Sequence, residues 1–415
     1  MEEEPVMALS DAKTTDALVD GTLVLAEGLG RPLRYVQLNS FYNGSTGSIM
    51  RGLHGKLAAR GVDSYCFWGR RHDTIDGHMQ CCATKPEVYL HGAMTRLYDR
   101  AGFYSKRDTA KLLACLNEID PDVVHLHNIH GYWVNIETLF GWLAKSRCQV
   151  RWTLHDCWAF TGHCAYFTYV KCAQWQSHCA YLKPCPQLNT YPKTIFNANC
   201  ARNFEDKRRI FTSISPDRMT LITPSQWLAH MVGQSFLKGY PVEVRHNTID
   251  KTVFKPTPSE FRKQYGVGDR FMVLGVASPW TERKGLGDFV RLAGELDSDK
   301  YAIVLVGLSE KQIRQLPEGV VGLARTDSPQ ELAGIYSTAD VFFNPTVEDN
   351  YPTVNLEAEA CGTPVVTYDT GGCRETLRLE ESVCCKDVCE ALVCIRLSAN
   401  RTGHPERSNT RGSAC

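Results

Sequence analysis

The sequence has no hydrophobic run long enough to span a bilayer and no surplus of charge of either sign. Its 46 lysine and arginine residues balance 46 aspartate and glutamate residues. A neutral chain has no bulk attraction for a polyanion, so we expect no nucleic-acid partner. Residues 1–5 are acidic and lack the basic-then-apolar pattern of a signal peptide. These absences predict a cytoplasmic protein.

A dinucleotide-binding pattern is also missing. Segment 39–48 follows a predicted strand at residues 34–38 but does not read G-x-G-x-x-G, and no acidic residue stands where a dinucleotide's ribose needs one. An NAD site is therefore a poor interpretation. Small residues between a strand and a helix still let backbone N–H groups approach a phosphate or a substrate, and Gly47 and Ser48 are the candidates. A plain connecting loop is the alternative.

Cysteine, in contrast, is abundant, with 18 residues. Without a secretory signal, a disulfide framework is the less favoured explanation. One crowded stretch, residues 157–185, contains four cysteines at intervals that could suit a metal site: Cys164, Cys172, Cys179 and Cys185. Their spacing lacks the C-x2-C pair typical of zinc sites. Two interpretations stay open, a structural zinc site with four thiolate ligands and reduced thiols packed among aromatic side chains.

The length of 415 residues exceeds what one hydrophobic core usually supports, so two domains are expected. Predicted strands and helices alternate along most of the chain, which is typical of parallel α/β folds. The predicted organisation is an N-terminal tail or loosely attached helix (1–33), a first α/β domain (34–248), a linker (249–258), a second α/β domain (259–376) and an atypical C-terminal segment (377–415). Residues 383–415 are cysteine-rich, then basic and polar, and predict no further strand or helix.

Residues 196–215 predict a helix that carries a run of basic side chains: Arg202, Lys207, Arg208 and Arg209. Such a run is usually a solvated helix face. Contact with anionic lipid is the alternative, and it would place the protein peripherally on the inner face of a membrane.

Segment 341–375 carries the clearest functional pattern. An apolar run at 341–343 ends at a breaker, a polar loop at 346–351 follows, and Pro352 is expected at the first position of a helix that Gly362 ends. Strand–loop–helix–strand order is typical of a parallel sheet, and such sheets bind ligands at the carboxyl ends of their strands. The helix start is an anion site. With Asp349 and Glu357 beside it, the site suits a sugar carried on a diphosphate.

This segment resembles the E-x7-E region of the family 4 retaining glycosyltransferases, enzymes of the GT-B fold. Residues 356–366, LEAEACGTPVV, keep the core of that motif nearly intact. Asp349 stands where the family has its first glutamate, and Glu348 is one residue out of register. The variant resembles a subgroup, of the colanic-acid type, that builds bacterial exopolysaccharide or lipopolysaccharide. An ordinary α/β unit with solvated acids is the alternative.

The resemblance covers about residues 34–375 and implies two Rossmann-like domains with parallel sheets that face each other across a cleft. It implies a nucleotide sugar bound mainly by the second domain and an acceptor bound by the first. In the family, a histidine after the strand predicted at 148–154 contacts the donor, and this position is His155, with Asp156 as a candidate orienting partner. A capping or core histidine is the alternative. Arg283 and Lys284 match the family's R/K-K-G element, which neutralises the diphosphate.

The resemblance thus implies a catalytic set and a donor-binding set. The catalytic residues are His155, Lys284 and Asp349. The donor-binding residues are Gly47, Ser48, Arg283, Arg325, Tyr351, Pro352, Thr353, Val354, Asn355 and Glu357. Asp349 would bind a sugar hydroxyl, Glu357 the ribose hydroxyls, and Arg325 would lie near the nucleobase. Residues 351–355 would offer backbone N–H groups, except at Pro352, which has none.

The implied activity is transfer of a sugar from a nucleotide-diphosphate donor to a glycan or lipid-linked acceptor of surface polysaccharide biosynthesis, with the anomeric configuration retained. No metal cofactor is expected for catalysis, because the cations and the helix end would offset the charge of the leaving diphosphate. Two alternatives are a nucleotide-sugar epimerase of the same architecture and a non-catalytic protein that binds nucleotide sugars. The atypical segment after Glu375 favours the second alternative.

Overall fold

The computed structural model describes residues 15–70, 72–181, 183–195, 199–401 and 403, and divides the chain into two compact units, residues Met1–Asn247 and Thr248–Cys415. Each unit is built on a fully parallel sheet flanked by helices. This confirms the predicted α/β class with two Rossmann-like sheets. Among the described residues, no helix combines the length and the hydrophobicity that crossing a membrane requires.

The first unit contains seven strands within its described residues, in the spatial order β3-β2-β1-β4-β5-β6-β7. The strands are β1 (Arg34–Phe41), β2 (Asp63–Arg70), β3 (Met79–Cys81), β4 (Val123–Leu126), β5 (Gln149–Thr153), β6 (Met219–Thr223) and β7 (Val242–Val244). The helices are α1 (Thr15–Ala26), α2 (Gly44–Ala58), α3 (Lys85–Tyr98), α4 (Lys106–Ile119), α5 (Ile136–Lys145), α6 (Cys200–Phe211) and α7 (Gln226–Gly233). The strand order reverses between β1 and β4, and ligands bind at such switch points.

The second unit contains six strands within its described residues, in the order β10-β9-β8-β11-β12-β13. The strands are β8 (Phe271–Val276), β9 (Tyr301–Val306), β10 (Val321–Leu323), β11 (Val341–Asn344), β12 (Val365–Tyr368) and β13 (Val383–Cys385). The helices are α8 (Phe261–Gln264), α9 (Leu286–Glu295), α10 (Glu310–Ile313), α11 (Pro329–Thr338), α12 (Thr353–Ala360) and α13 (Val388–Arg401). Here the order reverses between β8 and β11, so the segments that follow these two strands share one edge of the sheet.

The strands form where the sequence runs apolar without alternation, because helices cover both faces of a parallel sheet. All six residues of β9 are buried, and so are all four of β11. Helix starts follow capping chemistry. The side chain of Ser328 accepts a hydrogen bond from the Glu331 N–H at the start of α11, and Pro329 occupies the first turn.

The structure decides the sequence-based expectations for the two terminal segments. Residues 15–26 take the helical alternative and form α1, which is firmly packed, because Leu18 and Val19 are buried against Leu33 and Leu53. Residues 1–14 lie outside the described part. At the other end, residues 383–401 form β13 and α13 within the second unit, which corrects the expectation of no further strand or helix after 376. Apolar residues of α13, such as Ile395, are buried at a helical spacing that the cysteines obscured. Residues 404–415 are outside the described part.

The basic run on α6 is not a uniform solvated face. Lys207 is buried, and its ammonium donates hydrogen bonds to the carbonyls of Trp158 and Thr161 at 2.8 and 3.1 Å. The same ammonium lies 3.4 Å from the centroid of the Trp158 ring. Arg208 and Arg209 are exposed but pair with acidic neighbours. Residues 196–198 of the predicted helix lie outside the described part.

Candidate functional site

In the second unit, the switch point brings the turn before α9 onto the loop after β11. The Val347 N–H donates to the Arg283 carbonyl at 3.0 Å. Gly285 has a φ of +75°, and a Cβ built there would lie 2.4 Å from the Pro345 carbonyl oxygen. No other residue would fit this turn without displacing the loop. This close packing fixes the direction in which the side chains of Arg283 and Lys284 project.

Those two cations meet one carboxylate. Lys284 Nζ lies 2.5 Å from Asp349 Oδ2, and Arg283 Nη1 lies 3.6 Å from the same atom. Arg283 also donates to the Glu348 carbonyl. The three side chains stay 16–21% exposed, so a ligand can reach them. Burial opposes ionisation of Asp349, but Lys284 and Arg283 outweigh it, and the pKa of Asp349 is held below its ordinary value.

The backbone of Asp349 is fixed by the segment after β12. The Gly372 N–H donates to the Asp349 carbonyl at 3.0 Å. Gly371 has a φ of +57°, and its Cβ would lie 1.9 Å from that carbonyl oxygen. The Asn350 N–H donates to Asp349 Oδ1 at 2.9 Å. Asp349 is therefore positioned through both its main chain and its carboxylate.

Helix α12 starts next to this carboxylate. It begins at Thr353, and Pro352 is the N-cap rather than the first helical residue, with no side chain capping the end. The Asn355 N–H is bonded to the Pro352 carbonyl at 3.2 Å. Thr353 and Val354 are first-turn residues, whose N–H groups have no intrahelical acceptor by the geometry of an α-helix. First-turn N–H groups and the positive end of the helix dipole favour a negatively charged ligand at such a helix start.

Two side chains of the predicted donor set have structural contacts. The Asn355 side chain is buried, accepts from Asn344 and donates to Thr376. Tyr351 is buried and its hydroxyl accepts from Arg378 at 3.1 Å. Burial raises the pKa of Tyr351 to about 12. The Asn355 side chain is therefore committed within the protein, and so is its backbone N–H, which bonds to the Pro352 carbonyl.

Glu357 lies on the next turn of α12 and is half-buried. Its carboxylate accepts a hydrogen bond from the Tyr336 hydroxyl at 3.3 Å and another from the Thr353 hydroxyl. Burial outweighs these bonds and raises the pKa of Glu357 to about 7. Arg325 is exposed after the edge strand β10. Three strand intervals separate β10 from β11, which corresponds to about 14 Å.

In the first unit, His155 stands two residues after β5. His155 Nε2 lies 3.2 Å from His127 Nδ1, and His127 Nε2 lies 3.2 Å from Gln37 Oε1. The Gln37 amide nitrogen donates to the Met50 carbonyl, which fixes the amide orientation and leaves Oε1 as the acceptor. His127 therefore carries its proton on Nε2 and accepts on Nδ1, so His155 donates from Nε2. Burial lowers the pKa of His155 to about 4, so its Nδ1 is an acceptor at neutral pH.

Asp156 is not the orienting partner of His155, as the sequence had suggested. Its carboxylate lies 3.0 Å from His130 Nε2 and accepts from the Trp158 N–H at 2.9 Å. His127 is the partner instead. His127, His130, His155 and Asp156 all line a small depression at the carboxyl ends of β4 and β5.

Gly47 and Ser48 lie within the first turns of α2, which begins at Gly44, so part of the predicted connecting segment 39–48 is helical. A Cβ at Gly47 would lie 2.1 Å from the Tyr42 carbonyl oxygen, so glycine is required there for packing. Ser48 is exposed, and its hydroxyl accepts from Arg51 at 3.2 Å.

The four predicted metal ligands do not converge on one point. Among the described residues, the group of potential ligands whose atoms all lie within 4.8 Å of one another is Asp99, His163 and Cys200. None of these three was in the predicted set. Cys164 and Cys179 are buried and Cys172 and Cys185 half-buried.

Sequence reasoning missed Gln37, His127 and Tyr336 as partners of candidate site residues. His125 and His127 are two residues apart and so lie on one face of the β4 extension, a signal that was available. No comparable signal marks Gln37 or Tyr336, because they come from distant strands and helices.

Residues 270–394 match the family model described as glycosyl transferases group 1. The chain is 23% identical over 348 residues to the putative colanic acid biosynthesis glycosyl transferase WcaC of Escherichia coli (strain K12), covering 79% of this chain and 80% of that protein. Similar solved structures include sucrose-phosphate synthase from Thermosynechococcus elongatus, with a TM-score of 0.62, 16% identity and coverage of 89% and 91% of the two chains. Another is Anabaena Alr3699/HepE in complex with UDP, with a TM-score of 0.58, 16% identity and coverage of 90% and 91%. The likeness confirms the predicted GT-B fold class.

Proposed function

We propose that the chain, in which residues 270–394 match the group 1 glycosyl transferases, transfers a sugar from a nucleotide-diphosphate donor to a glycan or lipid-linked acceptor, with retention of the anomeric configuration. The observation that carries the proposal is the contact of Lys284 and Arg283 with Asp349 beside the uncapped start of α12. Cations, a carboxylate and first-turn N–H groups brought together at one edge of the sheet suit a sugar diphosphate.

The reaction has one demanding step. The bond between the anomeric carbon and the diphosphate oxygen breaks, and its electron pair leaves with the diphosphate. The acceptor oxygen forms the new bond from the same face of the sugar, and its proton passes to an oxygen of the departing diphosphate. The protein must therefore stabilise negative charge that grows on the leaving group.

Lys284, Arg283 and the start of α12 would supply that stabilisation. An ammonium has three N–H donors, so Lys284 can bind Asp349 and phosphate oxygens together. Arg283 adds a planar fork of donors, which suits a phosphate. The N–H groups of Thr353 and Val354 add a fixed dipole that needs no rearrangement during the reaction.

The carboxylates would bind hydroxyl groups. Asp349 is kept ionised by its cations, so it can accept a hydrogen bond from a sugar hydroxyl next to the diphosphate. Glu357 would accept from the ribose, in line with the role implied by the family resemblance. Arg325, about 14 Å along the sheet edge, is at a distance suited to the base of the same nucleotide.

His155 would act on the donor sugar as a hydrogen-bond acceptor. Its Nε2 proton is committed to His127, and the ring is neutral at pH 7, so Nδ1 offers a lone pair to a hydroxyl. Gly47 and Ser48, in the first turns of α2, would lie near the donor.

The relative from Escherichia coli is named for colanic acid biosynthesis, which supports an acceptor in surface polysaccharide assembly. A lipid-linked acceptor would bring the protein to a membrane surface, so peripheral contact with the inner face is part of the proposal. The non-catalytic alternative has lost its support, because residues 383–401 form a strand and a helix of the second unit.

The test is release of the free nucleoside diphosphate from uridine, guanosine and adenosine diphosphate sugars, with and without undecaprenyl-linked or free glycan acceptors. We expect release that requires both one donor and an acceptor, with a product whose anomeric configuration matches the donor by NMR. Epimerised donor without release, or binding of every donor without turnover across the acceptors, would contradict the proposal.

A further inference from the structure

Gln37 is a buried polar residue of β1 that lies under the histidines of the first unit. In the register of the sheet it stands opposite His125 on β4. Side chains alternate along a strand, so His127, two residues beyond His125, lies on the same face of the sheet as Gln37. Gln37 and His127 are 0% and 2% exposed. Polar side chains buried to this extent are normally held by specific hydrogen bonds, and these two residues share one.

The hydrogen bonds of Gln37 belong to a chain that has one direction. The amide nitrogen of Gln37 donates to the Met50 carbonyl of α2 at 3.2 Å, and its Oε1 atom lies 3.2 Å from His127 Nε2. His127 Nδ1 in turn lies 3.2 Å from His155 Nε2. A carbonyl oxygen accepts and cannot donate, so the N–H groups of the chain all point from His155 toward α2.

Gln37 blocks the opposite orientation of this chain. If His127 carried its proton on Nδ1, its bare Nε2 would face Gln37 Oε1, and two buried acceptors would meet with no proton between them. Turning the Gln37 amide over would instead set its oxygen against the Met50 carbonyl. Burial lowers the pKa of His127 well below its ordinary value, so the ring does not escape the conflict by taking a second proton.

We propose that Gln37 is a positioning residue for sugar transfer, because through His127 it holds the proton of His155 on Nε2 and keeps His155 Nδ1 as an acceptor. This inference rests on the proposed function, in which Nδ1 accepts a hydrogen bond from a hydroxyl of the donor sugar. Without Gln37 the chain can reverse. His155 would then present an N–H to the donor in place of a lone pair.

The chain also joins two parts of the first unit that supply candidate donor-binding residues. Its fixed end, the Met50 carbonyl, belongs to the same helix as Gly47 and Ser48. Its free end is His155, after β5. Gln37, on the strand between them in sequence and space, therefore links the orientation of α2 to the protonation of His155.

The first experiment locates the ring protons directly, in the full-length chain labelled with ¹⁵N in histidine and free of substrate. Protonated and bare nitrogens of a neutral imidazole have well-separated ¹⁵N shifts, and the His155 signals are those absent from His155→Gln. We expect a protonated Nε2 and a bare Nδ1 in the wild-type chain. A wild-type His155 with its proton on Nδ1 would overturn the proposal.

Gln37→Met removes the acceptor while keeping a side chain of similar length, so part or all of the His155 proton should move to Nδ1. The matched control is Gln187→Met. Gln187 is also a buried glutamine of the first unit, and its side chain bonds to Tyr169 and Tyr166 at 3.2 and 3.1 Å. This control should melt at a lower temperature than the wild type but keep the wild-type tautomer of His155. An unchanged tautomer in Gln37→Met, or an equal shift in both variants, would contradict the proposal.

A double variant tests whether Gln37 and His127 act in series. His127→Phe removes the second link, so His155 should again lose its single tautomer. Once His127 is gone, Gln37 has nothing to act through, and adding Gln37→Met should change the His155 signals no further. An additional shift in the double variant would show that Gln37 reaches His155 by another route and would overturn the chain.

Activity distinguishes a failure of this inference from a failure of the proposed function. With a donor and acceptor that the wild type uses, kcat of Gln37→Met should fall in proportion to the fraction of His155 that has lost its Nε2 proton, by up to about 10²-fold. Gln187→Met should keep the wild-type kcat. A shifted tautomer with an unchanged kcat would overturn the role of Gln37 in transfer. Absence of transfer by the wild type would overturn the proposed function, while the ¹⁵N shifts would still decide whether Gln37 controls His155.

Discussion

The carboxylate of Asp349 is held on both sides: Lys284 Nζ lies 2.5 Å from its Oδ2 atom, and the N–H of the following residue, Asn350, occupies Oδ1. The acid therefore cannot turn away from the lysine without losing two bonds. Since the pair is only partly exposed, a phosphate that arrives there meets an ammonium already in place. This preorganisation is what electrostatic catalysis requires.

Replacing the lysine tests this arrangement. We expect Lys284→Ala to lower kcat by about 10²–10³-fold, the loss typical for one preorganised group that stabilises transition-state charge. The matched control is Lys300→Ala, since Lys300 has its own ion pair with Asp297 and stands before β9, at the opposite edge of the sheet. Equal activity of the two variants would contradict the role of Lys284, provided both melt near the wild-type temperature.

Glu357 should make stability and nucleotide affinity depend on pH in opposite directions. Its pKa of about 7 in the folded chain exceeds its unfolded value, so its stabilising contribution is full below about pH 4.5 and is lost as pH rises through 7. Glu357→Gln should therefore raise the free energy of unfolding by up to about 3 kcal/mol at pH 8, and by little at pH 4.5.

Nucleotide binding supplies the second half of this test. If the ionised carboxylate binds the ribose, the wild-type affinity for nucleoside diphosphate should rise between pH 6 and 8, whereas Glu357→Gln should bind weakly and without that rise. Calorimetric titration at several pH values measures both. The same pH dependence in the variant would assign the titration to another group.

The tautomer of His155 predicts an order of activity for two substitutions. Asparagine places a polar atom near the position of Nδ1, and glutamine places one near Nε2. Since Nε2 is committed to His127, the substrate contact would be made by Nδ1. We expect His155→Asn to retain at least about tenfold more kcat than His155→Gln, as one positioned group contributes 10²–10⁴-fold. The reverse order would show that Nε2 faces the substrate.

Gly371 should be intolerant of any side chain. We expect Gly371→Ala to lower stability by about 1–3 kcal/mol and to disturb Asp349, because its Cβ would meet the Asp349 carbonyl. Gly319 is the matched control, since it also has a positive φ but its Cβ would have no neighbour within 4 Å. Gly319→Ala should cost about 1 kcal/mol and leave activity intact. Equal losses in the two variants, measured by urea unfolding, would mean that the Asp349 contact is unimportant.

The sequence predicted those parts of the protein whose candidate functional residues lie within one continuous segment of regular hydrophobic pattern. Segment 341–375 carries its strand, breaker, loop and helix in one continuous run, so periodicity and breakers were enough to place Asp349 at a strand end. The same run contains Gly371, whose backbone approach to Asp349 is not encoded by periodicity. The Arg283–Lys284 pair was placed by its position before a glycine.

Contacts between distant segments were beyond sequence reasoning. The partner of His155 is His127, 28 residues earlier, whereas the adjacent Asp156 turns to His130. Lys207 belongs to a run of basic residues, which predicted a solvent-exposed side chain. It is buried instead, because its ammonium lies over the Trp158 ring and donates hydrogen bonds to two carbonyls. Regular spacing likewise drew attention to Cys172, whereas the potential ligands that lie together include Cys200, which belongs to the next helix.

The loop after β10 has a consequence for how this protein can diversify. Arg325 stands on an exposed edge, whereas the turn at Gly285 and the bend at Gly371 admit no side chain. Substitutions in the loop after β10 should therefore have little effect on folding, whereas substitutions of Gly285 or Gly371 should destabilise the fold. We expect homologous genes to acquire a new nucleobase preference through single changes near Arg325 and to inherit the diphosphate site unaltered.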